Sequence, residues 1–180
     1  MTRILALDPG SSETGWAIID HDPRRVEGGK MPNTRVLVDL REEAVSFDVI
    51  LVEYPGAWGI STGSAVQVME AIWWAGRFTE AALPMEVVRI TRDAVKRALL
   101  GKVNVKGADA VLRQQLIDRY AELAGDPLGG KAAAIGTKAA PGPLYGIKAD
   151  AWAALALGCA YLDGAETLDQ YRARKSAEAA

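Results

Sequence analysis

Three isolated carboxylates stand at the ends of apolar segments in this chain. Asp8 follows the run ILAL, Glu53 follows the run VILV, and Asp150 comes directly before AWAALALG. An ionised carboxylate is costly to bury without a partner, so acids at the edges of a core indicate a specific task. If the two runs are neighbouring parallel strands and the third segment is a helix packed on them, the three carboxylates converge at one edge of a sheet.

A cluster of this kind is typical of a site for a hard cation. Mg²⁺ is bound through one or two carboxylates, keeps several waters and leaves positions for phosphate oxygens. Two such ions about 4 Å apart activate a water and stabilise the leaving oxygen during phosphodiester hydrolysis. A zinc site is not available, because the chain has one histidine, His21 in a polar turn, and one cysteine, Cys159 among apolar residues. We therefore predict two Mg²⁺ ions per site, with Mn²⁺ able to substitute.

Each carboxylate also has a simpler interpretation. Asp8 precedes Pro-Gly and could be a turn former. Asp150 could cap the helix that follows it, because a carboxylate accepts from the free N–H groups of the first turn. Glu53 has the weakest alternative, since glutamate is a poor strand residue and DVILVE contains no turn signal. Individually the three acids leave both interpretations open, and together they favour the metal site.

The elements that must position these acids follow from the hydrophobic periodicity. Strands are predicted at residues 3–7, 15–19, 35–40, 48–53 and 85–90. Helices are predicted at residues 41–46, 64–83, 92–100, 108–124 and 151–162. The Gly-, Ala- and Pro-rich segment 125–149 is expected to be a long mobile loop. This order predicts one α/β domain over residues 1–164, followed by a charged helical tail over residues 165–180.

The net charge of −2 conceals an uneven distribution. Residues 89–148 hold 11 basic and 5 acidic side chains, so the remainder carries a net charge of −8. This division fits a region that meets a polyanion, and it fits ordinary solvated helix faces equally well. The chain shows neither a signal peptide nor an apolar run long enough to cross a membrane, and we expect a cytoplasmic protein.

Four segments, in order along the chain, carry motifs of one known family. They are DPGSSETGW at 8–16, VILVE at 49–53, VKRALLG at 95–101 and DAWAALAL at 150–157. Together they resemble the RuvC-like Holliday junction resolvases of the RNase H-like superfamily. The resemblance implies a mixed five-stranded sheet, three antiparallel strands followed by parallel ones, flanked by helices. It also implies a homodimer that makes paired symmetric nicks in four-way DNA junctions, leaving 5′-phosphate ends.

The resemblance assigns metal ligation and catalysis to Asp8, Glu53 and Asp150. The family usually has a further acid or histidine three residues before the last of these, where this chain has Ile147. It also tends to carry a lysine entering the helix after the glycine, where this chain has residues 108–110 (ADA). These departures suggest a divergent, phage-type relative.

Contacts to branched DNA are predicted for six further side chains. Four are basic and expected to meet phosphates: Lys102, Lys106, Arg113 and Lys148. Tyr54 and Trp58 lie just after the second acid and could stack on unpaired bases, or could pack locally beside Pro55. Both interpretations of the two aromatic residues remain open.

Three other functions compete with a junction resolvase. DPGSSETG also resembles the phosphate loop of ATPases and sugar kinases, but those proteins close two such domains over a nucleotide, and 180 residues hold one. A nuclease of the same fold could act on flaps or RNA–DNA hybrids with the same site chemistry. A junction-binding protein that has lost catalysis is the third alternative, favoured by Ile147 and opposed by the three acids together.

Overall fold

The computed structural model describes residues 2–55, 65–126 and 130–178. Its centre is a five-stranded sheet with the strand order β3-β2-β1-β4-β5. The strands are β1 Ile4–Pro9, β2 Glu13–Ile19, β3 Val26–Pro32, β4 Val49–Tyr54 and β5 Val87–Thr91. The first three strands pair antiparallel, and β1, β4 and β5 pair parallel. The mixed five-stranded sheet expected from the resemblance is therefore confirmed.

Helices flank both faces of this sheet. They are α1 Asn33–Glu43, α2 Ala65–Ala81, α3 Arg92–Leu100, α4 Ala108–Leu123, α5 Lys131–Ile135, α6 Ala151–Leu162 and α7 Leu168–Glu178. α6 packs on β1 and β2, with α3 and α4 beside it, whereas α1 and α2 cover the opposite face. Within the described ranges, no helix combines the length and apolarity needed to cross a bilayer.

Apolar side chains of β1 and β4 fill the two cores on either side of the sheet. Successive side chains of a strand point to opposite faces. Ile4 and Ala6 accordingly face the α6 side, and Leu5 and Leu7 face the α2 side. Strands that are covered on both faces lose the alternation of apolar and polar residues, which explains why VILV reads as one continuous apolar run.

The prediction of a strand at 35–40 and a short helix at 41–46 is wrong. Residues 33–43 form α1, and a single 3₁₀ turn follows at Ala44–Ser46. Val36, Leu37 and Leu40 are buried, and their i, i+1, i+4 spacing is that of one helix face. The local run RVLVDL alternates like a strand, but the longer helical spacing decides the structure.

The third strand instead lies at Val26–Pro32, in a segment with little apolar character. Its glycines are the reason it fits. A Cβ at Gly28 would lie 2.9 Å from the Ile147 side chain and 3.3 Å from the Ala151 Cβ, so a glycine there lets the segment before α6 approach the sheet closely.

The prediction of a mobile loop over 125–149 is also wrong for the part that the structure describes. Residues 130–149 contain α5, which packs against α4, and Leu144 is fully buried. Alanines and glycines read as a loop in the sequence because they carry little hydrophobic signal. They nevertheless allow this segment to lie close to its neighbours.

The first residues of the tail after residue 164 pack against the domain. Thr167 forms an isolated bridge with Ile90 of β5, and Asp169 accepts from Arg89 at 3.0 Å. Leu168 is buried, whereas most of α7 is exposed. The boundary at residue 164 remains a prediction.

Candidate active site

Asp8 and Glu53 lie side by side at the same edge of the sheet. Leu7 of β1 is in register with Val52 of β4, so the next residue on each parallel strand brings the two carboxylates together. Glu53 is only 8% exposed, and Asp8 is half-buried. Burial raises the pKa of both carboxyls, and the mutual approach of two negative charges raises that of Glu53 further.

Asp8 belongs to β1, where it pairs with Gly15 of the neighbouring strand. The turn that follows is closed by the Gly10 N–H, which donates to the Glu13 carbonyl at 3.0 Å. The Asp8 carboxylate instead lines a pocket. The turn-former interpretation of Asp8 therefore has no support in the hydrogen bonding of this turn.

Asp150 reaches the same edge from the start of α6. Its side chain makes no capping hydrogen bond to the helix, and it pairs instead with Lys30 of β3 at 3.0 Å. Its backbone is pressed against Gly15: a Cβ there would lie 2.5 Å from the Asp150 carbonyl oxygen. A glycine in β2 thus sets where the third carboxylate stands.

A pocket of about 230 Å³ lies beside Asp8 and Asp150. Asp8 and Asp150 form part of its wall, and the residues that complete it come mainly from the starts of α3, α4 and α6. The polar side chains among them are Arg92, Asp109 and Arg113. The pocket therefore combines carboxylates with fixed positive charge, which suits a phosphate held next to cations.

Arg92 and Asp109 were missed by the sequence reasoning. The Arg92 guanidinium donates to Glu53 Oε2 at 3.2 Å and to Asp109 Oδ1 at 2.5 Å. Burial lowers the pKa of Arg92, but Glu53, Asp8 and Asp109 together raise it above its ordinary value. One signal was available: Arg92 is the first residue of a helix, where the macrodipole disfavours a cation.

The donor set fits a hard cation by its chemistry. Within the described residues, no three acidic, histidine or cysteine side chains are close enough together to share one ion. Arg92 and Lys30 are the present partners of Glu53 and Asp150. Because burial and like charge raise the pKa of both Asp8 and Glu53, added positive charge is favourable here, and carboxylate oxygens are the ligands that Mg²⁺ prefers.

Of the four predicted basic residues, one lines this pocket and all four are exposed. Arg113 lines it, with the guanidinium 4.7 Å from the centroid of the Trp152 ring. Lys102 and Lys106 are exposed in the turn between α3 and α4, and Lys148 is exposed two residues before Asp150. Four arginines of the basic stretch are instead ion-paired with acids: Arg89, Arg92, Arg97 and Arg119.

Of the two predicted stacking residues, the structure describes only Tyr54. Tyr54 is half-buried and packs against the core on the α2 face, in agreement with local packing. Trp58 lies outside the described residues. Ile147 is buried and in the core, so its position supplies no fourth acid to the site.

Comparison with solved structures identifies the architecture. The chain superimposes on Thermus thermophilus RuvC in complex with a Holliday junction substrate with a TM-score of 0.57 and 16% identity, covering 93% of this chain and 100% of that one. A second Thermus thermophilus RuvC structure gives a TM-score of 0.53 and 18% identity, covering 89% and 93%. The chain has the fold of RuvC. The resemblance stated from the four motifs is thereby confirmed at the level of the fold.

A short sequence match adds to this likeness to RuvC. Over 24 residues the chain is 75% identical to the crossover junction endodeoxyribonuclease RuvC of Wolbachia sp. subsp. Brugia malayi. The match spans 13% of this chain and 15% of the length of that curated relative. No family model matches the chain.

Proposed function

We propose that this protein is a Holliday junction resolvase, a metal-dependent endonuclease that recognises branched DNA. The observation that carries the proposal is the pair of neighbouring carboxylates Asp8 and Glu53 at the carboxyl ends of β1 and β4, with Asp150 beside them on a RuvC fold. Two desolvated acids, Asp8 and Glu53, have little structural use at this edge of the sheet. A reaction that needs a cation at a phosphate explains them, and it also explains why Asp150 stands at the same edge without capping its helix.

In this proposal, Asp8, Glu53 and Asp150 hold Mg²⁺ or Mn²⁺, two ions per site. When bound, such ions activate a water and stabilise the leaving 3′ oxygen, which yields 5′-phosphate ends. Asp8 and Glu53 are fixed by the register of two parallel strands, and Asp150 is fixed through its backbone by Gly15. The protein therefore supplies ligands whose positions do not depend on flexible loops.

The four predicted basic side chains would bind DNA phosphates and so position the DNA at the site. Lys102, Lys106, Arg113 and Lys148 are exposed, and phosphate contacts of this kind fix register without reading sequence. Stacking of Tyr54 and Trp58 on unpaired bases is part of the same proposal, although the packing of Tyr54 favours a local role.

Paired symmetric nicks require two sites, so we include a homodimer in the proposal. α2 offers a surface for it. Trp74 turns inward and donates to the Ser11 carbonyl at 3.1 Å, whereas Trp73 is 53% exposed with Met69 and Val66 exposed on the same helix. Exposed aromatic and methionine side chains are typical of interface cores.

The test is cleavage of a labelled four-way junction in Mg²⁺, Mn²⁺ or EDTA. Duplex, flap and RNA–DNA hybrid serve as controls. We expect metal-dependent paired nicks at the junction alone. Asp8→Asn, Glu53→Gln and Asp150→Asn should abolish cutting and retain junction binding. The control Asp118→Asn, at an exposed acid on α4, should retain both cutting and binding.

Two results would redirect the proposal. Preferential cutting of the hybrid or flap would support the assignment of the active site and contradict the assignment of the four-way junction as substrate. Tight junction binding without cutting in either metal would identify a binding protein and contradict the assignment of catalysis to the three acids.

A further inference from the structure

Arg92 places a permanent positive charge next to the most buried acid of the molecule. It begins α3 immediately after β5, the strand that pairs with β4 beside Glu53. Its side chain is 26% exposed. The helix dipole disfavours a cation at this position, so local helix stability does not account for the residue.

The contacts of Arg92 leave part of its guanidinium available to a ligand. A guanidinium has five N–H donors. One bond from Nη1 reaches Glu53 and one from Nη2 reaches Asp109. Arg92 also lines the pocket together with Asp8 and Asp150. An anion bound in the pocket could therefore accept hydrogen bonds from the remaining N–H groups of Arg92.

The pairing with Asp109 is better explained by orientation than by stability. The Asp109 side chain is 82% exposed. An ion pair with one partner this exposed contributes little to folding, because solvent screens it. The bond nevertheless fixes the second terminal nitrogen of Arg92 from α4, so that two different elements hold the guanidinium plane.

We propose that Arg92 is a catalytic residue that donates hydrogen bonds to a non-bridging oxygen of the scissile phosphate, and that Asp109 is the residue that positions it. The inference rests on the proposed function. When the oxygen of water bonds to phosphorus and the bond from phosphorus to the 3′ oxygen breaks, negative charge grows on the non-bridging oxygens. The attacking water gives up one proton to the solvent and the leaving 3′ oxygen takes one from the solvent, so the protons balance. Arg92 transfers none, because a guanidinium stays protonated.

The experiment compares five variants in single-turnover cutting of the junction, with the Mg²⁺ midpoint, junction affinity in EDTA and Tm measured alongside. They are Arg92→Ala, Arg92→Lys, Asp109→Asn, the double variant Arg92→Ala/Asp109→Asn, and the control Arg97→Ala. Arg97 lies on the same helix and pairs with Glu166, and it is not one of the residues that line the pocket.

Arg92→Ala should slow cutting by about 100- to 1000-fold, the loss typical of one preorganised donor to a transition-state oxyanion. Arg92→Lys should recover part of the rate. Asp109→Asn should slow cutting about tenfold, and the double variant should be no slower than Arg92→Ala, because a positioning residue has no effect once its target is gone. The Mg²⁺ midpoint should stay unchanged in Asp109→Asn and Arg97→Ala. It should fall in Arg92→Ala and in the double variant, because Glu53 then loses the cation that competes with Mg²⁺ for its carboxylate. In EDTA, the slope of log junction affinity against log salt concentration should become shallower by about one for Arg92→Ala.

Arg97→Ala should cut at the wild-type rate. Equal rates for wild type and Arg92→Ala would overturn the proposal. A shifted Mg²⁺ midpoint in Asp109→Asn, with a rate loss that adds to that of Arg92→Ala, would instead make Asp109 a metal ligand and overturn its positioning role. Cutting of another substrate by the wild type refutes only the junction assignment, and the same variant ratios then test Arg92 on that substrate. A wild type that cuts no nucleic acid overturns both proposals.

Discussion

Replacement of Asp8 by asparagine should stabilise the metal-free protein at neutral pH, although the same change should abolish cutting. Burial raises the pKa of the Asp8 carboxyl from 3.8 to about 6. An acid whose pKa is higher in the folded state than in the unfolded state destabilises the fold when it ionises. The wild type should therefore lose stability as the pH rises from about 4 through about 6, and asparagine removes that loss.

The size of the effect follows from the shift. A rise of about two pKa units corresponds to about 3 kcal/mol of unfolding free energy once Asp8 is fully ionised. The variant recovers only part of this free energy, because the asparagine amide is also a polar group that needs hydrogen-bond partners at the same position. We expect a gain of about 1–3 kcal/mol near pH 8, which is a rise in Tm of about 2–10 °C for a chain of this size.

The assay is thermal unfolding of both proteins in EDTA across this pH range, followed by the same scan in Mg²⁺. The difference in Tm should be close to zero near pH 4 and largest near pH 8, and Mg²⁺ should stabilise the wild type more than the variant. Asp118→Asn controls for the loss of one negative charge. An equal difference at both ends of the pH range, or a variant less stable than wild type near pH 8, would refute the assignment of a desolvation cost to Asp8.

Three further predictions concern the surroundings of the site. Gly15→Ala should slow cutting by about 100-fold and lower the Tm, with junction binding retained, because the new Cβ displaces the backbone of Asp150 and a misplaced carboxylate is costly. Cutting at the wild-type rate would contradict the importance of this contact. Lys30→Gln should lower the Mg²⁺ midpoint for cutting about two- to fivefold, since an exposed ion pair no longer competes for Asp150; a higher midpoint would show that Lys30 assists the site. Joint replacement of Lys102 and Lys106 by alanine should weaken junction binding. The slope of log affinity against log salt concentration, measured by titration at several salt concentrations, should become shallower by about two. An unchanged slope would show that neither lysine contacts the DNA.

The positions of Asp8 and Glu53 could be predicted because their signal is local. In each case an acid ends an apolar run that is long enough for a buried strand, and parallel pairing then brings the two together. The helix at Ala151–Leu162 was equally predictable, because its apolar run is continuous and an acid precedes it. These features depend on residues that are close together in the chain.

Arg92 and Asp109 could not be found in this way. They lie 17 residues apart, and each looks like an ordinary charge at the start of a solvated helix. Their pairing is visible only once the sheet has brought Glu53 to the start of α3. The third strand was missed for a related reason. Gly28 fits there because Ile147 and Ala151 approach it closely, and a glycine carries no strand signal of its own.

The contact between Gly15 and the backbone of Asp150 has a consequence for protein design. A designer who wished to transplant this site to another sheet would copy three acids and expect their side chains to converge. The third acid, however, is held at its distance by the absence of a side chain on a neighbouring strand. The smallest transferable unit therefore includes the hairpin of β1 and β2 with its glycine, and a graft of the acids alone would start with one carboxylate out of place.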